Sequence, residues 1–275
     1  MTQTKILTER MELITEHEGE ERTFYLFGHG VYNDLGSQIE EAGMKRANLG
    51  EVISSVHEAF KENSRYSEEK QDKIKEILKQ NWFYGFTESI VLPNQDVIYA
   101  YDAPTKADEI NINDHNIERI LRDNTEKRVS FGYKTGVQSL EEFRANQYLT
   151  LLAGEEGARK AAEIASKFRL NPYLGSPSKQ KNEPLKTVSA LDSDCYLGDG
   201  LRVDGDDRGN YSGGFALGYV GKKISPQTFI KSLNKTQQTS EETLSKEEII
   251  KKAKKEIEER YIDDIVERFR NIDLD

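Results

Sequence analysis

The aspartates of "DGDDRGNYSGGF", residues 204–215, are the first side chains of this 275-residue chain whose spacing invites chemistry. As a calcium loop, the stretch puts Asp204 and Asp206 in the first and third ligand places. Gly209 then falls in the sixth, where such a loop turns sharply. Arg208 occupies the fifth place, however, and Phe215 the twelfth, where a bidentate glutamate is required. An EF-hand is thereby excluded. An irregular oxygen site from Asp204, Asp206, Asp207 and Asn210 stays open beside the ordinary alternative, a solvated cluster of turns, which is favoured. If a metal did bind, the catalytic version would be a divalent-metal-dependent hydrolase using Asp204, Asp206 and Asp207.

Other chemistries find less support. "GYVGKK" (218–223) ends in Gly-Lys like a phosphate loop. Lys223, though, stands where Ser or Thr would hold magnesium, and Ala216 replaces the leading glycine. His17, His29, His57 and His115 are far apart, and none has a second histidine at ligand spacing. The "GHG" at 28–30 is read as a structural turn and His57 as a helix-boundary residue. Cys195 is the only cysteine, so neither an internal disulfide nor a cysteine-based zinc site is available. That suits a reducing compartment, and the expected location is cytoplasmic. Carboxylate pairs carry no information in a chain with 49 acidic residues. No catalytic constellation and no cofactor is expected, and a non-enzyme is favoured.

Composition is more telling than any motif. Between Ser189 and Phe215 lie six Asp and six Gly, together with Tyr196, Tyr211, Asn210, Arg202 and Arg208. Tyr, Ser, Gly, Asn and Asp are residues that binding surfaces favour. Tyrosine offers contact area at small entropic cost, and the short polar side chains offer adaptable hydrogen bonds. Leu191, Leu197, Leu201, Val203, Phe215 and Leu217 are interleaved and can anchor short strands. The ordinary alternative is a loop-rich edge of an α+β domain.

The elements that must carry this stretch are legible in part. "TFYLFGHGVY" reads as a buried strand. Leu49, Val52, Ile53, Val56, Ala59 and Phe60 share one helix face, and Ile74, Ile77 and Leu78 repeat the pattern over "SEEKQDKIKEILKQN". "WFYGFTESIVLPNQDVIYAYD" predicts two strands joined at Pro93-Asn94-Gln95-Asp96. "RVSFGYKTG" predicts a short strand. Ser139 and Glu142 form a capping box for a helix that Gly154 should end, with a second, alanine-rich helix over "EEGARKAAEIASKF". From Leu170 to about Val220 loops are expected. Residues 225–244 read as a linker. Ser245 and Glu248 cap an amphipathic helix over 245–272, whose stripe of Ile249, Ala253, Ile257, Tyr261, Ile265 and Phe269 packs within the chain or forms a homodimer seam.

The ending "LDSDCYLGDGLRVDGDDRGNYSGGFALGYV", preceded by "NPYLGSPS", resembles the last part of C-type-lectin-like domains of the formylglycine-generating-enzyme type. It looks most like the variable proteins targeted by diversity-generating retroelements. In those proteins a small, loop-rich fold closes on a "GFAxG"-like segment, here Gly214-Phe215-Ala216-Leu217-Gly218. Residues just before it are altered by adenine-directed mutagenesis, which enriches Tyr, Asp, Asn, Ser, Gly, Cys and Arg. "WFYGFTESIVLPNQDVIYAYDAP", "SFGYKTGVQS" and "LAGEEGARKAAEIASKFRLNPYL" look similar to archaeal proteins with the same type of ending. The resemblance implies that Asp192, Asp194, Tyr196, Asp199, Arg202, Asp204, Asp206, Asp207, Asn210 and Tyr211 are exposed ligand contacts.

The expected fold class is α+β, with a helical N-terminal half (1–127), a loop-rich C-type-lectin-like module (128–224), the linker and the C-terminal helix. The expected function is non-catalytic recognition of a protein or small ligand through residues 192–211. An assembly role through the C-terminal helix is the further alternative. A net charge of −10 argues against nucleic acid as a partner. No apolar run reaches the roughly 20 residues a bilayer demands, so no membrane partner is expected.

Overall fold

The protein is described here from a computed structural model, over residues 11–124, 127–193 and 200–220, all within one unit of the chain. A hairpin of β1 (Glu12–His17) and β2 (Glu20–Gly30) opens it, followed by α1 (Tyr32–Glu41), the short β3 (Lys45–Arg46), α2 (Leu49–Phe60) and α3 (Glu68–Gln80). Next come the hairpin of β4 (Phe83–Val91) and β5 (Val97–Asp102), then α4 (Ile117–Asn124), β6 (Arg128–Ser130) and β7 (Gly136–Val137). Helices α5 (Leu140–Arg144) and α6 (Gln147–Ala165) precede β8 (Tyr173–Gly175), β9 (Leu185–Asp192), β10 (Arg202–Asp207) and β11 (Gly214–Tyr219). The strands join in one mixed sheet of order β1-β2-β11-β4-β9-β10-β8-β7, with β5 and β6 beside β4 and β3 on β11. The β11–β4 and β10–β8 pairs are parallel.

All nine residues of β4 are buried, because both its faces are covered. Side chains alternate between faces of a strand, so each cover reads every second residue. Phe83, Gly85, Thr87, Ser89 and Val91 face the layer of α2 and α6. There Phe83 and Val91 join Val52, Ile53, Leu149 and Leu152 in the larger core. A Cβ at residue 85 would stand 2.6 Å from Leu49 Cα, so only glycine lets α2 lie this close. Tyr84 and Phe86 face the opposite way, against Tyr32, Leu35 and Ile39 of α1. Ile90 meets Tyr99, Tyr101, Ile117 and Leu121 in a third cluster.

The local signals act as their chemistry requires. Asn48 accepts from Glu51 N at 2.9 Å and Glu51 returns the bond to Asn48 N at 2.8 Å, closing a capping box at the start of α2. Ser139 and Glu142 do the same for α5. That helix ends at Arg144, and Asn146 caps α6 through Tyr148 N and Leu149 N. Gly154, with φ at +73°, breaks the helical path inside α6, where the sequence places a helix end.

An α+β architecture is found as expected, but the N-terminal half is not mainly helical: β1 to β5 lie in it beside four helices. Nor does a break at 127/128 divide the sheet, since β4 pairs with β9 and β11, and β5 with β6. Residues 170–220, expected as loops, supply β8 to β11. Their short, glycine-interrupted runs lack strong periodicity, and sheet pairing with distant strands is what makes them regular. The expected linker (225–244) and C-terminal helix (245–272) lie outside the described residues.

One charge sits at the centre of this packing. Glu88 is fully buried on the α1 side of β4. It accepts hydrogen bonds from Tyr32 Oη at 3.1 Å and from Tyr101 Oη, and Lys186 Nζ of β9 approaches its two oxygens at 3.1 and 3.0 Å. Removing one partner of such a group leaves the others buried and unsatisfied. Glu88→Ala should therefore lower the unfolding free energy by about 3 kcal/mol or more. Urea denaturation of the variant checks this, and a change below about 1 kcal/mol would contradict the central role of the carboxylate.

Candidate functional site

Three chain segments meet at one end of the sheet. Trp82 enters β4, Asp192 ends β9, and Arg202 begins β10 directly opposite Asp192. Trp82 O accepts from Phe215 N at 2.7 Å, which ties the start of β4 to β11. The Arg202 guanidinium lies over two rings, 5.7 Å from the Trp82 centroid and 5.5 Å from that of Tyr173. A cation over an aromatic face is attracted by the ring quadrupole. On Trp82 rests Tyr211, ring centroids 5.1 Å apart. Tyr211, Trp82, Arg202 and Tyr173 thus form a continuous stack.

The loop carrying Tyr211 is held from both ends. Asp207 accepts from Gly209 N at 2.5 Å, an Asx-type turn. Gly209 O accepts from Tyr32 N at 3.1 Å. Tyr84 Oη lies 3.2 Å from both the N and the O of Tyr211, donating to one and accepting from the other. Burial, then the nearby Asp207 carboxylate, pushes the Tyr84 phenol well above its ordinary value, so it remains a donor at neutral pH.

The ten residues expected to be exposed contacts divide sharply. Asp206, Asn210 and Tyr211 are exposed, Asp207 and Arg202 half-buried. Asp192 and Asp204 are buried, only 1% and 2% exposed, which corrects the expectation for both. Asp204 accepts a hydrogen bond from the Arg202 guanidinium and another from Asp206 N at 3.3 Å. Asp192 adds to the negative field on Arg202. These two carboxylates face covered positions of the sheet, and they position the arginine instead of meeting solvent. Asp194, Tyr196 and Asp199 lie outside the described residues, as does Cys195.

The metal alternative finds no geometry. Among the described residues no three His, Cys, Asp or Glu side chains converge as metal ligands. Asp204 is engaged by Arg202, and Asp207 by Gly209 N. The histidines are no more suggestive: the His29 ring packs on Phe215, and His57 Nε2 lies 2.7 Å from Glu163.

Sequence reasoning missed two groups. Trp82 and Tyr173 are the walls of the arginine stack, and the aromatic run "WFYGF" was the only local signal for Trp82. The second is a Ser-His-Lys contact. His17 Nδ1 lies 2.9 Å from Ser54 Oγ, and Lys160 Nζ donates to the same oxygen at 3.0 Å and to Glu16 O at 2.9 Å. Ser54 is 1% exposed, so no substrate carbonyl reaches its hydroxyl, and the group pins β1, α2 and α6 together.

No protein-family model and no curated protein matches the chain. The structure is similar to a solved structure described as "Accommodation of massive sequence variation in Nanoarchaeota by the C-type lectin fold", with a TM-score of 0.48 and 15% sequence identity. The match covers 74% of this chain and 100% of that one. No helix among the described residues is long and apolar enough to cross a membrane.

Burial of Asp204 has a pH signature. Desolvation first, and the Asp206 carboxylate second, raise its pKa above the ordinary aspartate value. The native state then holds a proton that the unfolded chain has lost, so stability falls as pH rises from about 4 toward neutrality. Asp204→Asn should remove this fall. Relative to the parent protein, the variant gains stability steadily across that range in urea titrations, and a constant difference would contradict the assignment.

Proposed function

We propose that the protein is a recognition module whose contact surface is the sheet end built on Trp82, Tyr173 and Arg202 and crowned by Asp206, Asn210 and Tyr211. The observation that carries this is the stack itself. An exposed tyrosine is braced on a tryptophan, which is braced on an arginine held by a buried aspartate. Such a ring is oriented before a partner arrives, so less entropy is lost on binding. The adjoining Asp206 and Asn210 add hydrogen-bonding groups that adapt to the partner. A rigid sheet carrying exposed polar loops is where binding function collects. Among the described residues no nucleophile with an accessible base lies beside it, and the partner is a folded protein or a polar small ligand.

The sequence resemblance to C-type-lectin-like variable proteins extends this reading. Asp194, Tyr196 and Asp199 would then belong to the same surface, and residues 192–211 would be sites of programmed diversification. A near-copy of the DNA encoding residues 189–218, differing mainly at adenines and adjoining a reverse-transcriptase gene, is the expected genomic companion.

Contact residues and positioning residues should separate experimentally. The combined Asp206→Ala, Asn210→Ala and Tyr211→Ala variant should keep its melting temperature nearly unchanged, since exposed positions usually cost within about 0.5 kcal/mol each. On an array of folded proteins, peptides and glycans, a saturable signal of the labelled parent protein should vanish in this variant. A signal that survives the three substitutions, or a large loss of stability, overturns the assignment of the surface.

A further inference from the structure

A second concavity, sharing no residue with the arginine stack, opens between the β1–β2 hairpin, the start of α2, the end of β5, β6 and the first half of α6. Its volume is about 500 Å³. That lies within the range of small-molecule pockets, roughly 300–1,000 Å³. One wall is apolar, formed by Val129, Leu151, Leu152 and Ala153.

The charges around it are unequally committed. Asp102 is neutralised by Lys127 Nζ at 2.9 Å and further held by Thr87 Oγ1 at 2.7 Å and Asn48 Nδ2 at 3.4 Å. The Glu18 side chain is 69% exposed at the rim, where water screens it. Arg128, by contrast, has no ion pair among the described residues, although it lines the cleft. The side chains of Gln147 and Thr150 line it too and donate no hydrogen bond within the described residues. Among the described residues Arg128 is therefore the lining cation without an ion pair, flanked by uncommitted donors and an apolar wall, with Glu18 as the matching anion at the rim.

We propose that this cleft binds a small carboxylate with an apolar body of aryl-acid size, the carboxylate on Arg128 and the body against Val129 and Leu151. A guanidinium presents paired N–H groups in a plane that matches the two oxygens of a carboxylate. Gln147 and Thr150 supply further donors. Leu151 and Val129 are only partly buried in the unliganded protein, so a ligand body gains by covering them.

The test is a titration of the full-length protein, followed by amide NMR, with three probes: 3-phenylpropanoate, 3-phenylpropylamine and inorganic phosphate. The propanoate should give saturable shifts at residues 128–129 and 147–154. The amine, which keeps the body and reverses the charge, and phosphate, which has the charge without the body, should each bind at least about tenfold more weakly. Arg128→Gln, at an exposed position, should weaken the propanoate by about tenfold, whereas Lys73→Gln on the distant α3 surface should leave it unchanged. Equal binding of the amine or phosphate, shifts confined to another part of the protein, no saturation with the propanoate, or no effect of Arg128→Gln overturns the proposal.

Discussion

Strand β4 is enclosed on both faces and paired along both edges, and yet its middle reads Thr87-Glu88-Ser89. Three consecutive polar side chains without water must each find a partner, or the strand could not lie there. Between them they reach five other elements. Thr87 accepts from Leu49 N at the head of α2 and donates to Asp102 at the end of β5. Ser89 shares a 3.0 Å hydrogen bond with Tyr148 of α6. Glu88 gathers Tyr32 of α1, Tyr101 of β5 and Lys186 of β9. Apolar contact would let these elements slide against one another. Directional bonds to buried groups do not, and the position of every layer follows from the three side chains.

Both proposed binding regions inherit this constraint. Trp82 immediately precedes β4, so the arginine stack stands on the strand that the polar trio locates. At the second cleft, Asp102 and Asn48 are set by the same Thr87 hydroxyl and by the α2 capping box next to it. Tyr148 extends the network further: besides Ser89, its hydroxyl reaches Gly205 O at 3.0 Å on β10, two residues from Asp207. The loop surface is thereby connected to the core through hydrogen bonds as well as through packing.

A small part of the high charge content is buried. The chain is 32% charged and only 36% hydrophobic. Part of that charge is interior: Arg46 lies between Glu40 and Glu109, Lys160 meets Glu156 at 2.5 Å, and Arg22 pairs with the buried Glu51. Glu51 shows what such placement costs, since burial raises its pKa to about 7 despite the arginine. Interior ion pairs add directional specificity where a smaller apolar core leaves alternatives open.

Much of the local structure was readable without coordinates, because its causes are local. The α2 face of Leu49, Val52, Ile53 and Val56, the Ser139–Glu142 capping box, the turn between β4 and β5 and the break at Gly154 all depend on residues within a few positions of one another. The class of the fold, α+β, followed from those pieces. Long-range partnership was not readable. Nothing near Trp82 announces that Arg202 will lie over it, and nothing in "LDSD" or "RVDGDD" shows that Asp192 and Asp204 turn inward while Asp206 turns out. A strand's two faces are chemically alike in sequence until a cover makes one of them dry, and the covers here come from distant parts of the chain, Gly175 and Tyr148 over Asp204. Composition alone marked residues 192–211 as unusual, whereas only the paired sheet decided which of the described side chains among them face solvent and which are buried in the platform.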